Sequence, residues 1–96
     1  MHFERNEMTD INETLAQREQ THGSFESHAR ISQSIKCQMF NAHGYVNLGA
    51  TQREALDMIA HKIARILNGN PDVHDHWHDI AGYATLAANE LNEVSQ

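Results

Sequence analysis

Apolar residues recur along this chain at intervals of three and four, which is the period of an amphipathic α-helix. No run of β-branched residues alternates with polar ones, so strands are not expected. The pattern predicts an all-α protein with helices over residues 10–19, 24–41, 51–68 and 74–93. The strongest apolar face belongs to the third of these helices and consists of Leu56, Ile59, Ala60, Ile63, Ile66 and Leu67.

Residue types that begin and end helices lie at the borders of these segments. Ser24 is expected to cap the second helix, and the run Thr51-Gln52-Arg53-Glu54 is expected to form a capping box for the third. The run Asn68-Gly69-Asn70-Pro71 ends the third helix, with Gly69 expected in the left-handed position after it. Because the linker is short, the last two helices are predicted to form an antiparallel hairpin within a small four-helix subunit.

The apolar residues of the fourth helix are expected to face the protein interior. Trp77 is expected to be a core anchor, and small side chains beside it would let two helix axes approach closely. The positions expected to face inward are Trp77, Ile80, Ala81, Ala84, Ala87, Ala88 and Leu91.

Length and charge limit the domain organisation and the partners. Residues 1–8 are predicted to be a flexible N-terminus, followed by a single helical domain over residues 9–96. So short a chain has a small core, so a self-associating subunit, a homodimer or larger, is expected. The net charge of −6 argues against salt-driven binding to duplex nucleic acid.

Two further features bear on the cellular location. No stretch approaches the length of an apolar membrane span, so no membrane partner is expected, and the N-terminus lacks the apolar run of a signal peptide. The single cysteine fits a reducing compartment. These features favour a cytoplasmic protein.

The densest chemistry lies in residues 72–79, which combine three of the eight histidines with three carboxylates. Such a segment suits a divalent metal ion, because imidazole and carboxylate are both good ligands for one. It equally suits a pH-sensitive surface, because histidine titrates near neutrality. The sequence leaves this choice open.

Polar residues also share a stripe on the third helix, where Glu54, Asp57, His61 and Arg65 recur at helical spacing. One interpretation is a solvated ladder of charges that stabilises the helix. The alternative is that this stripe and the polar face of the fourth helix meet another helix or subunit and enclose a site. Carboxylates spaced i, i+3 on facing helices bind Mg²⁺ in helical bundles, and the candidate metal ligands are Glu54, Asp57, His76 and Asp79.

Cations beside that site would bind an anionic ligand. Lys62 and Arg65 are positioned to contact phosphate oxygens, with arginine able to do so through two parallel hydrogen bonds. His61 and Tyr83 complete this candidate ligand-binding set, and a small nucleotide is the ligand it suggests. A second candidate for an anion is the helix start at Gly23-Ser24, but ordinary capping is the favoured explanation of those residues.

Several segments carry a resemblance to a known group of proteins. They lie at residues 23–29, 54–59, 62–69 and 75–84, and the most specific motif is Lys62-x-x-Arg65 followed by Trp77-x-Asp79-Ile80-x-Gly82-Tyr83. Over residues 15–92 the chain resembles a family of small phage and prophage proteins of unassigned function. The resemblance implies a phage or prophage origin, and hence the host cytoplasm, but no established activity.

A more distant similarity is to MazG-like, all-α nucleoside triphosphate pyrophosphatases. Those enzymes hold Mg²⁺ with Glu-x-x-Glu on one helix and Glu-x-x-Asp on the next, and the matching positions are Glu54, Asp57, His76 and Asp79. His76 replaces a carboxylate and Asp57 replaces a glutamate, so the similarity implies fold and ligand class more than catalysis. Three functions follow: non-catalytic binding of a small nucleotide or phosphate, Mg²⁺-dependent pyrophosphatase activity, and a helical oligomeric interaction module.

Overall fold

The structure is a computed structural model that describes the backbone of residues 2–95 and the side chains of residues 10–20 and 22–92. This part of the chain forms α1 (His2–His22), α2 (Phe25–Asn41), a 3₁₀ helix (His43–Asn47), α3 (Ala50–Asn68) and α4 (His74–Ser95), and contains no strand. The all-α class is therefore confirmed. Met1 and the side chains of residues 2–8 lie outside the described residues, so the expected flexible N-terminus stays a prediction.

Helix α3 is the centre of the fold. It packs against α4, as the predicted antiparallel hairpin requires, and also against α2, whereas α2 and α4 do not pack against each other within the described residues. Helix α1 contacts both α2 and α3. Helices α2, α3 and α4 therefore lie side by side in one layer with α3 in the middle. No helix in the described part of the chain has the length and apolarity to cross a membrane.

The start of α2 confirms the prediction, and the start of α3 corrects it. The Ser24 hydroxyl accepts a hydrogen bond from the Ser27 N–H at 3.2 Å, as an N-cap does. Helix α3 begins at Ala50, and its N-cap is Gly49, two residues before the predicted N-cap Thr51. Gln52 makes the box possible, because its side-chain oxygen accepts from the Gly49 N–H at 2.8 Å.

The predicted left-handed glycine after α3 is wrong. Gly69 has φ −137°, outside the left-handed region, and its N–H completes an ordinary helical hydrogen bond to Arg65 O at 3.1 Å. Among the described residues, the glycine with positive φ is Gly23, at +75° in the turn between α1 and α2. The left-handed turn therefore lies at the entrance to α2.

The buried apolar core consists of small side chains and one isoleucine: Ala55, Ala60, Ala64 and Ile66. The expected inward position of Trp77 is wrong, because this residue is 55% exposed, and Ala81, Ala84, Ala88 and Leu91 are exposed with it. Helix α4 has α3 as its neighbour and turns a different side toward it, on which Ile80 and Ala87 are half-buried. A helix at the edge of a single layer leaves part of its apolar circumference uncovered.

Candidate anion-binding site

The turn between α1 and α2 is fixed to the end of α3. The side-chain amide of Asn68 donates to the carbonyl oxygens of His22, at 2.8 Å, and Ser24, at 2.9 Å. Gly23 lies between these two carbonyls with positive φ, and a Cβ there would overlap the backbone oxygen of Asn68. Position 23 therefore requires glycine both for its positive φ and for the close approach of Asn68. The turn brings the first residues of α2 against α3.

Each of the four α-helices contributes one histidine to a cluster beside this turn. His28 Nε2 of α2 lies 3.2 Å from His61 Nδ1 of α3, within hydrogen-bond distance. The rings of His22 of α1 and His76 of α4 lie with their centroids 4.9 Å apart. We call these residues the histidine cluster, and its assembly depends on the packing of all four helices.

Two members of the histidine cluster are buried and two are half-buried, and the cluster is incompletely hydrogen-bonded. His28 is 5% exposed and His76 is 3% exposed. The Nδ1 atoms of His22 and His28 and the Nε2 atom of His76 have no hydrogen-bond partner among the described residues. Leaving a buried polar nitrogen unpaired costs about 1–3 kcal/mol. Such atoms mark a place where a ligand or ordered water is needed to complete the site.

Burial and a neighbouring cation keep the histidine cluster neutral at physiological pH. Burial lowers the pKa of all four imidazoles, and the positive charge of Arg65 lowers each further. The pKa of His61 falls to about 4. A neutral imidazole carries one N–H donor and one acceptor nitrogen, so the cluster offers hydrogen bonds without fixed charge.

Arg65 is a charged residue of the site, beside the histidine cluster. Its side chain is half-buried and forms no ion pair with any described residue. It lines a cavity of about 330 Å³ between α1, the turn and α3. We call this the Arg65 cavity, and it is lined by Leu15, Arg18, Glu19, His22, Gly23, Phe25, His28 and Arg65. A half-buried guanidinium without an ion-pair partner, in a cavity also lined by two imidazoles, is an arrangement suited to an anionic group.

Lys62, also predicted to bind ligand, has a protein partner. Its Nζ atom lies 2.9 Å from Asp79 Oδ2, and its side chain is only 12% exposed. The hydrogen bond from Lys62 lowers the pKa of the Asp79 carboxyl below its usual range. The pair joins α3 to α4, so a phosphate at Lys62 would have to compete with Asp79.

Tyr83 and the predicted carboxylates occupy other surfaces. Tyr83 and Asp79 line a cavity of about 500 Å³ on α4, and Tyr83 with Glu54 lines another of about 360 Å³. Asp57 lies one turn before His61, on the side of α3 that faces α2, whereas Asp79 is on α4. Among the described residues, no three histidine, cysteine or acidic side chains are placed to hold a metal ion. The structure thus places His61 and His76 close enough to Arg65 for its charge to lower their pKa values, whereas Asp57 and Asp79 belong to no such metal-binding group.

Sequence reasoning missed Arg18, His22 and His28. The available sequence signal is the Gly23-Ser24 helix start, which is a candidate anion site. Gly23 lines the same cavity as Arg65. His22 and His28 flank that start, but their contacts with α3 and α4 join residues far apart in the chain. Periodicity within one segment does not report such contacts.

Fold and site together define a small all-α protein with an arginine- and histidine-lined cavity between its first three helices. Residues 8–91 match the model of a family described as a domain of unknown function (DUF6378). The chain belongs to this family. Comparison with curated proteins and with solved structures gave no match.

Proposed function

We propose that this protein binds a small phosphate-bearing ligand, a nucleotide in the first instance, without converting it. The supporting observation is Arg65, a half-buried guanidinium without a carboxylate partner among the described residues, in a cavity that His22 and His28 also line. The planar guanidinium matches two phosphate oxygens at once. A cavity of about 330 Å³ is in the range that encloses a small molecule.

The non-catalytic form of the proposal rests on the residues that line the Arg65 cavity. Glu19 is the one carboxylate among them, whereas Mg²⁺-assisted phosphoryl chemistry uses several oxygen ligands to hold the metal. A MazG-like pyrophosphatase would instead use Glu54, Asp57, His76 and Asp79. Because Asp79 is paired with Lys62 and His76 is packed against His22, simple binding is the better-supported alternative.

The resemblance to small phage and prophage proteins supplies the setting of the proposal. In that setting the protein is an accessory factor in the host cytoplasm that sequesters or senses a small nucleotide. The acidic chain, with net charge −6, repels polyanions at long range, while the Arg65 cavity attracts a compact anion locally. A free nucleotide therefore suits this protein better than a nucleic acid duplex.

The proposal is tested by thermal-shift titration with inorganic phosphate and with nucleoside mono-, di- and triphosphates. Ligand at 100 times its Kd stabilises a protein by about 2.7 kcal/mol, so binding is readily detected. Arg65→Gln should reduce affinity at least about tenfold, in keeping with the loss of charge-assisted hydrogen bonds of about 1.5–3 kcal/mol. Arg53→Gln is the matched control, because Arg53 is also on α3 but is exposed and lies over the Tyr45 ring at 5.0 Å.

Three results would contradict the proposal. Equal loss of affinity in both variants would assign binding to general surface charge. Mg²⁺-dependent release of pyrophosphate, measured by chromatography of the reaction mixture, would establish the pyrophosphatase alternative. Absence of any stabilisation in the wild-type protein, with or without Mg²⁺, would leave the helical interaction module.

A further inference from the structure

The two faces of the layer formed by α2, α3 and α4 are covered unequally. Helix α1 lies over the face that carries His61 and Arg65, where it contributes His22 and one wall of the Arg65 cavity. No described element of the chain packs on the opposite face. Protein domains are normally built from at least two packed layers, because one layer cannot bury both sides of its helices.

The uncovered face is apolar at its centre. At 100° per residue, Leu56, Ile63 and Leu67 fall on one line along α3, opposite Arg65. Leu56 is 37% exposed and Leu67 is 68% exposed. This ridge therefore carries apolar side chains that the subunit itself does not bury.

The neighbouring helices extend the apolar face on both sides. Ile31 and Ile35 of α2 line a cavity of about 440 Å³ together with Leu67. On α4, Trp77 is followed at helical spacing by exposed alanines at positions 81, 84 and 88. Asp79 of α4 pairs with Lys62 on the face of the layer that carries Arg65. Trp77 and these alanines lie on the other side of α4 from Asp79, so their stripe is on the same face of the layer as Leu67.

We infer that a second copy of this chain covers the apolar face, so that two three-helix layers pack against each other in a homodimer. The subunit exposes 7376 Å², whereas a folded monomer of 10.9 kDa is expected to expose about 5,600 Å². This excess of about 1,800 Å² is counted over the whole elongated chain, and it exceeds the roughly 800 Å² that each partner buries in a stable interface.

The shape of the apolar face favours a copy of itself as the partner. The ridge of Leu56, Ile63 and Leu67 runs beside a groove floored by the alanines of α4. A twofold axis would place the ridge of each copy in the alanine groove of the other, which is self-complementary packing of ridges into grooves. The Arg65 cavity lies on the opposite face, so this dimer goes beyond the proposed binding function and leaves the cavity accessible.

The test is the mass of the full chain in solution, measured by sedimentation and light scattering at micromolar concentrations. The wild-type protein should have twice the subunit mass of 10.9 kDa. Leu67→Asp should reduce it to one subunit, because two carboxylates would be buried at the interface. Leu86→Asp is the matched control: Leu86 is a leucine of similar exposure, 61% against 68%, that lines a cavity with Glu54 on the other face.

Circular dichroism measures the helicity of each variant and so distinguishes dissociation of the dimer from unfolding of the subunit. If the Leu67→Asp variant loses helicity, Ala84→Asp on α4 is tested in its place. A monomeric wild-type protein at all concentrations would overturn the inference, and so would dissociation by Leu86→Asp but not Leu67→Asp. A wild-type monomer that instead co-floats with phosphatidylcholine vesicles would assign the apolar face to a lipid surface.

Discussion

Asn68 and Gly23 lie in contact where the turn between α1 and α2 meets the end of α3. The Asn68 side chain donates to the carbonyls on either side of Gly23, at 2.8 and 2.9 Å, and its own backbone oxygen occupies the space of a glycine Cβ. The residues on each flank of this turn, His22 and Ser24, lead into the histidine cluster and the α2 cap. This contact between the α1–α2 turn and the end of α3 thus determines how α1 and α2 are positioned around the Arg65 cavity.

Gly23→Ala should destabilise the protein by about 1–3 kcal/mol, because the left-handed conformation is unfavourable for alanine and the new methyl group overlaps Asn68. The measurement is urea unfolding followed by circular dichroism. Gly82→Ala is the control: Gly82 is within α4 and a Cβ there meets nothing within 4 Å. That change should stabilise by about 0.5–1 kcal/mol, since alanine is the better helix former. Equal stability of the two variants would contradict the described turn.

The fold could be predicted from the sequence as far as local signals reach. The Ser24 cap follows from side-chain chemistry within a few residues, and the predicted ends of α2 at Asn41 and α3 at Asn68 agree with the structure. The placement of Trp77 could not be predicted in the same way. Periodicity shows that one side of a helix is apolar, but it does not show whether the subunit itself covers that side.

The site was predicted in part for the same reason. The sequence pattern indicates Arg65, His61 and His76 as candidates because they carry charge or imidazole. It predicts a phosphate site for Arg65 and His61 but a metal site for His76. In the structure all three belong with His22 and His28, which come from other helices. Contacts between distant segments depend on the register in which the helices pack, and no local pattern reports that register.

The Asp79→Asn substitution distinguishes ligand binding in the Arg65 cavity from ligand binding at a Mg²⁺ site on α4. Because Asp79 is 41% exposed, solvent screens its pair with Lys62, and its loss should change the free energy of unfolding only slightly. Phosphate or nucleotide affinity should be unchanged, since Asp79 does not line the Arg65 cavity. Calorimetric titration measures this directly. Loss of a Mg²⁺-dependent ligand response in this variant, with helicity intact, would instead place the site at Asp79.

The histidine cluster should make folding stability depend on pH. A group with a lowered pKa binds fewer protons when folded, so stability is fully present above about pH 6.5 and is lost as the pH falls toward about 4, the pKa of His61. His61→Gln should flatten this dependence in urea titrations at a series of pH values. His74→Gln is the control, because the His74 side chain is exposed. A pH profile identical in the wild type and His61→Gln would contradict burial of the cluster.

Anion binding in the Arg65 cavity should be coupled to proton uptake by its imidazoles. Burial and Arg65 lower the pKa values of His22 and His28, and a bound anion would offset the Arg65 charge and raise them again. Affinity should therefore increase from about pH 7.5 to about pH 6, where histidine begins to titrate.

Sulfate is the suitable probe, because its own charge is constant over this range, whereas phosphate titrates within it. Calorimetry in buffers of different ionisation enthalpy counts the protons taken up on binding. A double variant, His22→Gln with His28→Gln, should retain binding through Arg65 but lose the buffer dependence. Sulfate binding without any proton uptake in the wild-type protein would place the anion away from these two histidines.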